Sequence, residues 1–417
     1  MNQAWPLKRA PESETPAPSG WKTGELLSFL ELQRGVDLPV QDRTQGDIPI
    51  FGSNGLLGFH NINVTEGPGV ITGRSGTIGK LFYTEDKYWP LNTTLYVKNF
   101  KGNLPKFAFY KLSEIGLEKF KTGTGVPTLN RNVAHKEIVV FPPLPEQQKI
   151  AAILTAVDDK LNVIARQIEA TQALKQGLMQ TLFSRGVGTQ DANGGWTPHT
   201  EFKGSKLGEI PSAWVVTTVG EVCEVKGGKR LPKGETLTEE NTGHPYIRVT
   251  DMFMGGVDTA GILYVPSHVR PTIARYTISK DDIFISVAGT LGLVGIVPEE
   301  LDGANLTENA DKLTDIKINR DYLFYCLCSD AIQDLIAREA TSNAQPKLAL
   351  TRIREFSFPL PSDEEQARIA TILASVDGKL RLLSTKRENY SSLKRGLMQK
   401  LLTGEWRVKL DSPTGIA

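Results

Sequence analysis

Residues 73–80, GRSGTIGK, are the stretch of this chain that most invites phosphate chemistry, and their spacing refuses it. A Walker loop needs four residues between its glycines and a Ser or Thr after the lysine. Here five residues separate Gly73 from Gly79, and Leu81 follows Lys80. A tight turn exposing backbone is the better account of the glycines. Cys326 and Cys328 are metal-ligand types, but no second cysteine pair or histidine cluster accompanies them. The five histidines, His60, His135, His199, His244 and His268, are scattered, whereas a structural zinc gathers four ligands. Alternating with apolar residues in a helical stretch, the two cysteines read as core or edge fillers. The chain has no dinucleotide fingerprint after a strand, no nucleophile elbow, and no Asn/Asp-Pro-Pro-aromatic tetrapeptide of the kind amino-methyltransferases use. A 417-residue chain without a catalytic constellation points to binding as its work.

What the chain offers for binding is loops rich in Gly, Ser, Thr, Asn and Arg. In its first part these are Ser53-Asn54, then Arg74-Ser75 with Thr77, and TGTGVPTLNRN at residues 122–132. That last loop supplies Thr122, Gly123, Thr124, Thr128, Asn130 and Arg131. Further on come KGGKRLPK at 226–233 (Lys226, Lys229, Arg230), RVTD at 248–251 (Arg248, Thr250), Thr290, and TSNAQPK at 341–347 (Ser342, Asn343, Gln345, Lys347). Such side chains suit base edges and phosphates: Arg or Lys to guanine, Asn or Gln to adenine, Ser and Thr to either. Ordinary solvated turns have the same composition.

The elements that must position these loops announce themselves by repetition. Residues 150–182 read IAAILTAVDDKLNVIARQIEATQALKQGLMQTL, and residues 369–401 read IATILASVDGKLRLLSTKRENYSSLKRGLMQKL. Aligned without gaps at an offset of 219, 16 of the 33 pairs are identical. Ile150, Leu154, Val157, Leu161, Ile164 and Ile168 step by four and three, the seam of a long amphipathic helix, and Leu178 and Leu182 resume it. Ile369, Leu373, Val376, Leu380 and Leu383 match that seam until Arg387, and Leu393, Leu397 and Leu401 take it up again. Pro-Leu-Pro precedes each copy, at 143–145 and 359–361. Roughly 35–40 residues at about 1.5 Å each give helices on the order of 50–60 Å long. A stripe of that length is buried most economically against its own copy. Gly177 and Gly396, at equivalent interior positions, suggest a close helix contact or a bend.

The rest of the chain is organised around the two helices. A Pro-, Ser- and Glu-rich leader (1–20) precedes a globular domain (21–145), the first helix (146–185) and a linker (186–208). A second globular domain (209–361), the second helix (362–404) and a tail (405–417) follow. Short β-like runs alternate with Gly/Asn turns in the domains, and helical periodicity is expected at 107–120 and around 322–339. Faint echoes link the domains: GTIG at 76–79 with GTLG at 289–292, Asn92 with Asn305, and residues 127–129 with 346–348. The expected fold is α+β: two globular α/β domains separated by two long helices that form an antiparallel intramolecular coiled coil, in a pseudo-twofold repeat.

Composition bounds the partners. No apolar run approaches the roughly 18–20 residues of a membrane span, and no signal peptide is evident. Three cysteines leave no disulfide framework, which fits a reducing cytoplasm. Net charge is +1; residues 21–145 carry 14 Lys/Arg against 11 Asp/Glu, and residues 209–361 carry 15 against 21. That balance excludes a purely electrostatic DNA coat.

At the helix starts, PPLPEQQKIAAILTAVDDKL and PLPSDEEQARIATILASVDGKL, with KQGLMQTLFSRG and KRGLMQKLLTG at their ends, resemble the DNA-specificity (S) subunit of type I restriction-modification systems. LGEIPSAWVVTTVGEV at 207–222 resembles the opening of a target-recognition domain, whereas SGWKTGELLSF at 19–29 follows that pattern less closely. The resemblance spans nearly the whole chain. It implies two target-recognition domains, each reading one half of a split double-stranded DNA site through the major groove, with the paired helices setting the gap. It implies two methylation (M) subunits docked on the helices and restriction (R) subunits in the full complex. S-adenosylmethionine, ATP and Mg would serve those partners, with no cofactor or metal bound by this chain and no catalysis of its own. Base contacts do not transfer residue by residue, because these domains vary with the target. Three other readings stay open: an S-like chain serving a fused methylase-nuclease, a coiled-coil adaptor that binds protein, and a cryptic methyltransferase or nuclease.

Overall fold

The computed structural model describes residues 17–123, 127–341 and 347–410. The leader up to residue 16, Thr124, Ser342, Asn343, Gln345 and residues 411–417 lie outside them. The chain divides into two compact units, one running to Arg166 and resuming at Ser384, the other spanning Gln167–Leu383. Each unit therefore holds one globular domain, the first half of one long helix and the second half of the other.

In the first unit, the strand Gly69–Gly73 is buried along its whole length because both faces are covered. It lies between Thr94–Asn99 and Leu81–Thr84, and Glu31–Arg34 completes a four-stranded sheet. A second, three-stranded sheet is formed by Ile48–Gly52, Gly55–His60 and Trp89–Pro90. Strand Lys22–Glu25 closes the domain antiparallel to Ile138–Phe141, the strand that feeds the first long helix. The helix expected at 107–120 is Pro105–Ile115, ended by Gly116 at φ 71° and followed by a 3-10 turn.

The second unit repeats this plan in its own residues. Ile283–Ser286, buried throughout, takes the place of Gly69–Gly73 in the four-stranded sheet with Glu224–Gly227, Ala310–Thr314 and Val294–Ile296. Val215–Thr218 pairs with Ser357–Leu360 as Lys22–Glu25 pairs with Ile138–Phe141. The helix expected around 322–339 is broken into Arg320–Leu327 and Asp330–Thr341, where Ser329 Oγ bonds the Cys326 carbonyl at 2.6 Å. The register also corrects one sequence match. Asn305 faces Tyr246 in a parallel pair, the place Trp89 holds against Ile50, so Asn305 is not the counterpart of Asn92.

The long helices are Leu144–Arg185 and Asp363–Leu402. Within the first unit, the start of the first packs antiparallel to the end of the second: Ile150, Leu154 and Leu401 share one buried core with Trp21, Phe107 and Phe141. Within the second unit, the start of the second helix packs against the end of the first, with Ile369, Leu373 and Leu182 buried beside Trp214 and Tyr322. Val157 and Val376 are buried too; Leu161, Leu380, Leu178 and Leu397 are half-buried. Gly177 and Gly396 sit at no close contact, since a Cβ at either would meet nothing within 4 Å.

An adjacent Glu-Gln pair ties each helix start to its domain. Gln147 accepts the Leu104 N–H at 2.9 Å and donates to the Pro142 carbonyl at 2.9 Å. Gln366 accepts the Asn319 N–H at 3.0 Å and donates to the Pro361 carbonyl at 2.9 Å. Trp21 Nε1 donates to Glu146 at 3.0 Å, and Trp214 Nε1 donates to Glu365 at 2.8 Å. The opening SGWKTGELLSF thus does the same mechanical work as the more recognisable second opening.

Candidate nucleic-acid interface

Three polar loops of the first unit converge. Ser53 and Asn54 turn the hairpin between Ile48–Gly52 and Gly55–His60. The Thr77 hydroxyl donates to Asn54 Oδ1 at 3.3 Å. A Cβ on Gly73 would collide with the Thr77 carbonyl and stand 3.0 Å from that of Ser53, so a glycine here lets the two turns close. Ser75 bridges Thr128, and the Leu129 N–H donates to the Arg74 carbonyl at 2.7 Å. Ser53, Asn54, Arg74, Ser75, Thr77 and Thr128 therefore form one cluster. Thr122, beside exposed Gly123, joins it by pairing with Thr128. Asn130 and Arg131 are engaged otherwise. Asn130 caps Arg131–His135 by accepting from Asn132 N at 3.0 Å, and Arg131 Nη1 donates to Gln33 Oε1 at 2.5 Å.

The second unit builds the same joint at the same register. Gly76 and Gly79 have φ of 78° and 82°, and Gly289 and Gly292 have 79° and 77°. Ala288 bridges Lys347 as Ser75 bridges Thr128. A Cβ on Gly289 would lie 3.8 Å from Val249, which brings the residues 248–251 turn alongside. Thr250, Thr290 and Lys347 are exposed there. The neighbouring cations are tied to acids. Arg248 grips Asp251 through Nε at 2.9 Å and Nη2 at 2.5 Å, and also donates to the Gly261 carbonyl at 2.8 Å. Arg230 pairs with Glu308 at 2.7 Å, and Lys226 lies 2.6 Å from Glu224 and 3.5 Å from Asp315. Lys229 lies 5.7 Å from the Tyr276 ring centroid.

Sequence reading overlooked Arg34 and Asp311. Burial, and then the charge of Arg34, lower the Arg74 guanidinium pKa from its usual value. Burial pushes the Asp311 carboxyl up to about 6, against the opposing pull of Lys347 and Arg354. Neither residue belongs to a short motif; only strand pairing places them at these loops.

Burial pushes the thiols of Cys223 and Cys328 up to about 12 and raises that of Cys326 as well, so none is a ready thiolate. Among the described residues, no cluster of three or more His, Cys, Asp or Glu could hold a metal ion. No described helix is long and apolar enough to cross a membrane.

A family model described as the type I restriction modification DNA specificity domain matches residues 18–172 and again 211–389. The chain belongs to this family. The MjaVIII specificity subunit of Methanocaldococcus jannaschii is 28% identical over 389 residues, covering 92% of this chain and 86% of that one. The EcoBI specificity subunit of Escherichia coli is 23% identical, covering 68% and 62%. The crystal structure of the type I restriction-modification S subunit from M. genitalium has the same fold, with a TM-score of 0.63 at 21% identity over 96% of this chain and 99% of that one. The two matched segments each contain one of the loop joints and one of the long-helix starts.

Proposed function

We propose that this specificity subunit recognises a bipartite site on double-stranded DNA, each unit reading one half through the major groove. The observation that carries the reading is the duplicated joint: two domains of diverged sequence present polar loops from one backbone frame, set by glycines with matching φ. A frame kept while its side chains change suits two readers of different base sequences. The paired helices set the gap between the half-sites.

Two methylation subunits dock on the helices, and restriction subunits join them in the full complex. The seam residues Ile150, Leu154, Leu182, Ile369, Leu373 and Leu401 are buried within the units, which leaves docking to other helix positions. Leu174 and Leu393, equivalent in the repeat, are 53% and 49% exposed. On the same helix, a groove of about 690 Å³ in the second unit is lined by Gln176, Gly177, Gln180 and Asp330. S-adenosylmethionine, ATP and Mg serve the partner subunits, and this chain is non-catalytic and cytoplasmic.

The test is a genome-wide map of methylated adenines in cells carrying this gene and its methylase, against cells lacking this gene alone. A split motif with a fixed gap, lost with the gene, is the expected result. An unchanged methylome would refute the assignment.

A further inference from the structure

The two units differ sharply at one place where their backbones agree. In the first, Arg34 ends the strand Glu31–Arg34 opposite Leu95, and the next N–H, that of Gly35, donates to the Thr94 carbonyl at 3.1 Å. A Cβ on Gly35 would run into the carbonyls of Leu91 and Pro90, so the chain is pinned there. Arg74 meets the same segment: its N–H donates to the Thr93 carbonyl at 2.8 Å, and its Nε donates to the Asn92 carbonyl at 3.3 Å. Both arginines are thus seated on residues 92–95, Arg34 exposed and Arg74 half-buried. The Arg34 charge adds to burial in lowering the Arg74 pKa. Among the described residues, no carboxylate pairs with either guanidinium. Like charges held this way cost free energy that an anion between them would recover.

The register carries the comparison across. Leu95 lies opposite Arg34 and Thr72; Asp311 lies opposite Gly227 and Ile285. Arg34 therefore corresponds to Gly227. Arg74 corresponds to Val287, whose N–H donates to the Asn309 carbonyl at 2.8 Å. Both cationic positions are neutral in the second unit, and a buried carboxyl replaces Leu95.

We propose that Arg34 and Arg74 together hold one DNA backbone phosphate at the first half-site, a contact with no counterpart at the equivalent positions of the second unit. The proposal rests on the DNA-reading role given above. With Nε committed to Asn92, Arg74 keeps both terminal nitrogens for the anion, and Arg34 brings a second planar fork, the geometry that suits phosphate oxygens. Beside them, exposed Thr77 and half-buried Thr128 place base-reading groups next to the anchor.

The test measures binding of the subunit, assembled with its methylase, to a duplex carrying the mapped site, across a range of salt concentrations. The double variant Arg34→Gln, Arg74→Gln is expected to bind roughly 10- to 100-fold more weakly. Its plot of log affinity against log salt becomes shallower by about one, the signature of one lost phosphate contact. The weakening is equal for duplexes altered at any base of the first half-site. Arg34→Lys with Arg74→Lys retains the slope, which separates lost charge from a folding defect. An unchanged slope in the glutamine variant overturns the proposal, as does a loss confined to discrimination at one base pair. If the wild type shows no site-specific binding, the DNA-reading role fails. If the wild type binds its site and the glutamine variant matches it, only the phosphate contact fails.

Discussion

Lys175 Nζ stands 2.7 Å from Asp377 Oδ1, and the same ion pair recurs 219 positions round the repeat as Lys394 with Asp158, at 2.6 Å. A tyrosine completes each: the Tyr325 hydroxyl donates to Asp377 at 2.9 Å, and the Tyr110 hydroxyl donates to Asp158 at 2.8 Å. The lysines lie 5.6 Å and 5.7 Å from the centroids of the respective tyrosine rings. Each trio joins one long helix, the other long helix and the adjoining domain helix within a single unit. Burial, reinforced by the neighbouring aspartates, raises both tyrosine pKa values, so the hydroxyls remain donors.

These trios fix helix register, and the effect is measurable. Asp377→Asn leaves a half-buried lysine without its carboxylate and weakens a charge-assisted hydrogen bond, at a cost of about 1–3 kcal/mol. Asp158→Asn is expected to cost about the same. The two sites share no partner, so the double variant should approach the sum of the single losses. Urea unfolding of the four proteins checks this, and a double variant no worse than either single one would show that the two trios act as one unit.

Glu365 is a denser anchor than its counterpart Glu146. It accepts from Trp214 Nε1 at 2.8 Å and from the Val187 and Gly188 N–H groups at 2.8 Å and 2.9 Å, with His199 Nε2 at 3.1 Å. Glu365→Ala strands these buried donors, with an expected loss of about 3–5 kcal/mol. Glu365→Gln keeps one acceptor oxygen and should lose less than half of that. Thermal unfolding of the alanine and glutamine variants measures the difference; equal losses would mean that the acceptor count does not set the cost.

The helices and their repetition were legible because seam spacing and identity are local signals. The Glu-Gln pair was visible in PEQQK and EEQAR, but its role was not, since its partners Leu104 and Asn319 lie far away in sequence. The glycine turns at 76–79 and 289–292 were readable as turns because positive φ selects glycine. The correspondence of Asn92 with Asn305 failed because equal spacing along a chain does not fix register when intervening loops differ in length. Arg34 and Asp311 were invisible for the same reason: strand pairing, a long-range property, gives them their neighbours.

Asp311 makes the stability of the second unit depend on pH. Its folded-state pKa of about 6 lies above the ordinary 3.8, so the folded chain holds that proton more tightly than the unfolded chain. The sign follows from linkage: the contribution of Asp311 is most favourable below pH 3.8 and is lost as pH rises to about 6. At 1.36 kcal/mol per pKa unit, the penalty above that range is at most roughly 3 kcal/mol. Asp311→Asn should therefore stabilise the chain at pH 8 relative to wild type and lose that advantage at pH 4. A wild-type minus variant difference that stays flat between those pH values would contradict the burial of an ionisable carboxyl here.

The ruler role makes the sharpest demand on the helices. Their seam repeats every seven residues, so inserting seven residues into both helices between the Leu161 and Leu174 positions of each copy keeps every seam residue in phase. At about 1.5 Å per residue the insertion adds roughly 10 Å, close to three base pairs when ten to 10.5 pairs span about 34–36 Å. The methylated motif should keep both half-sites and gain about three base pairs of gap. A two-residue insertion in both helices, which rotates the following seam by about 200°, should instead throw the seam out of phase and abolish methylation. Recovery of the original gap from the seven-residue variant would remove the helices as the ruler, because a length added to them would then not be transmitted to the DNA.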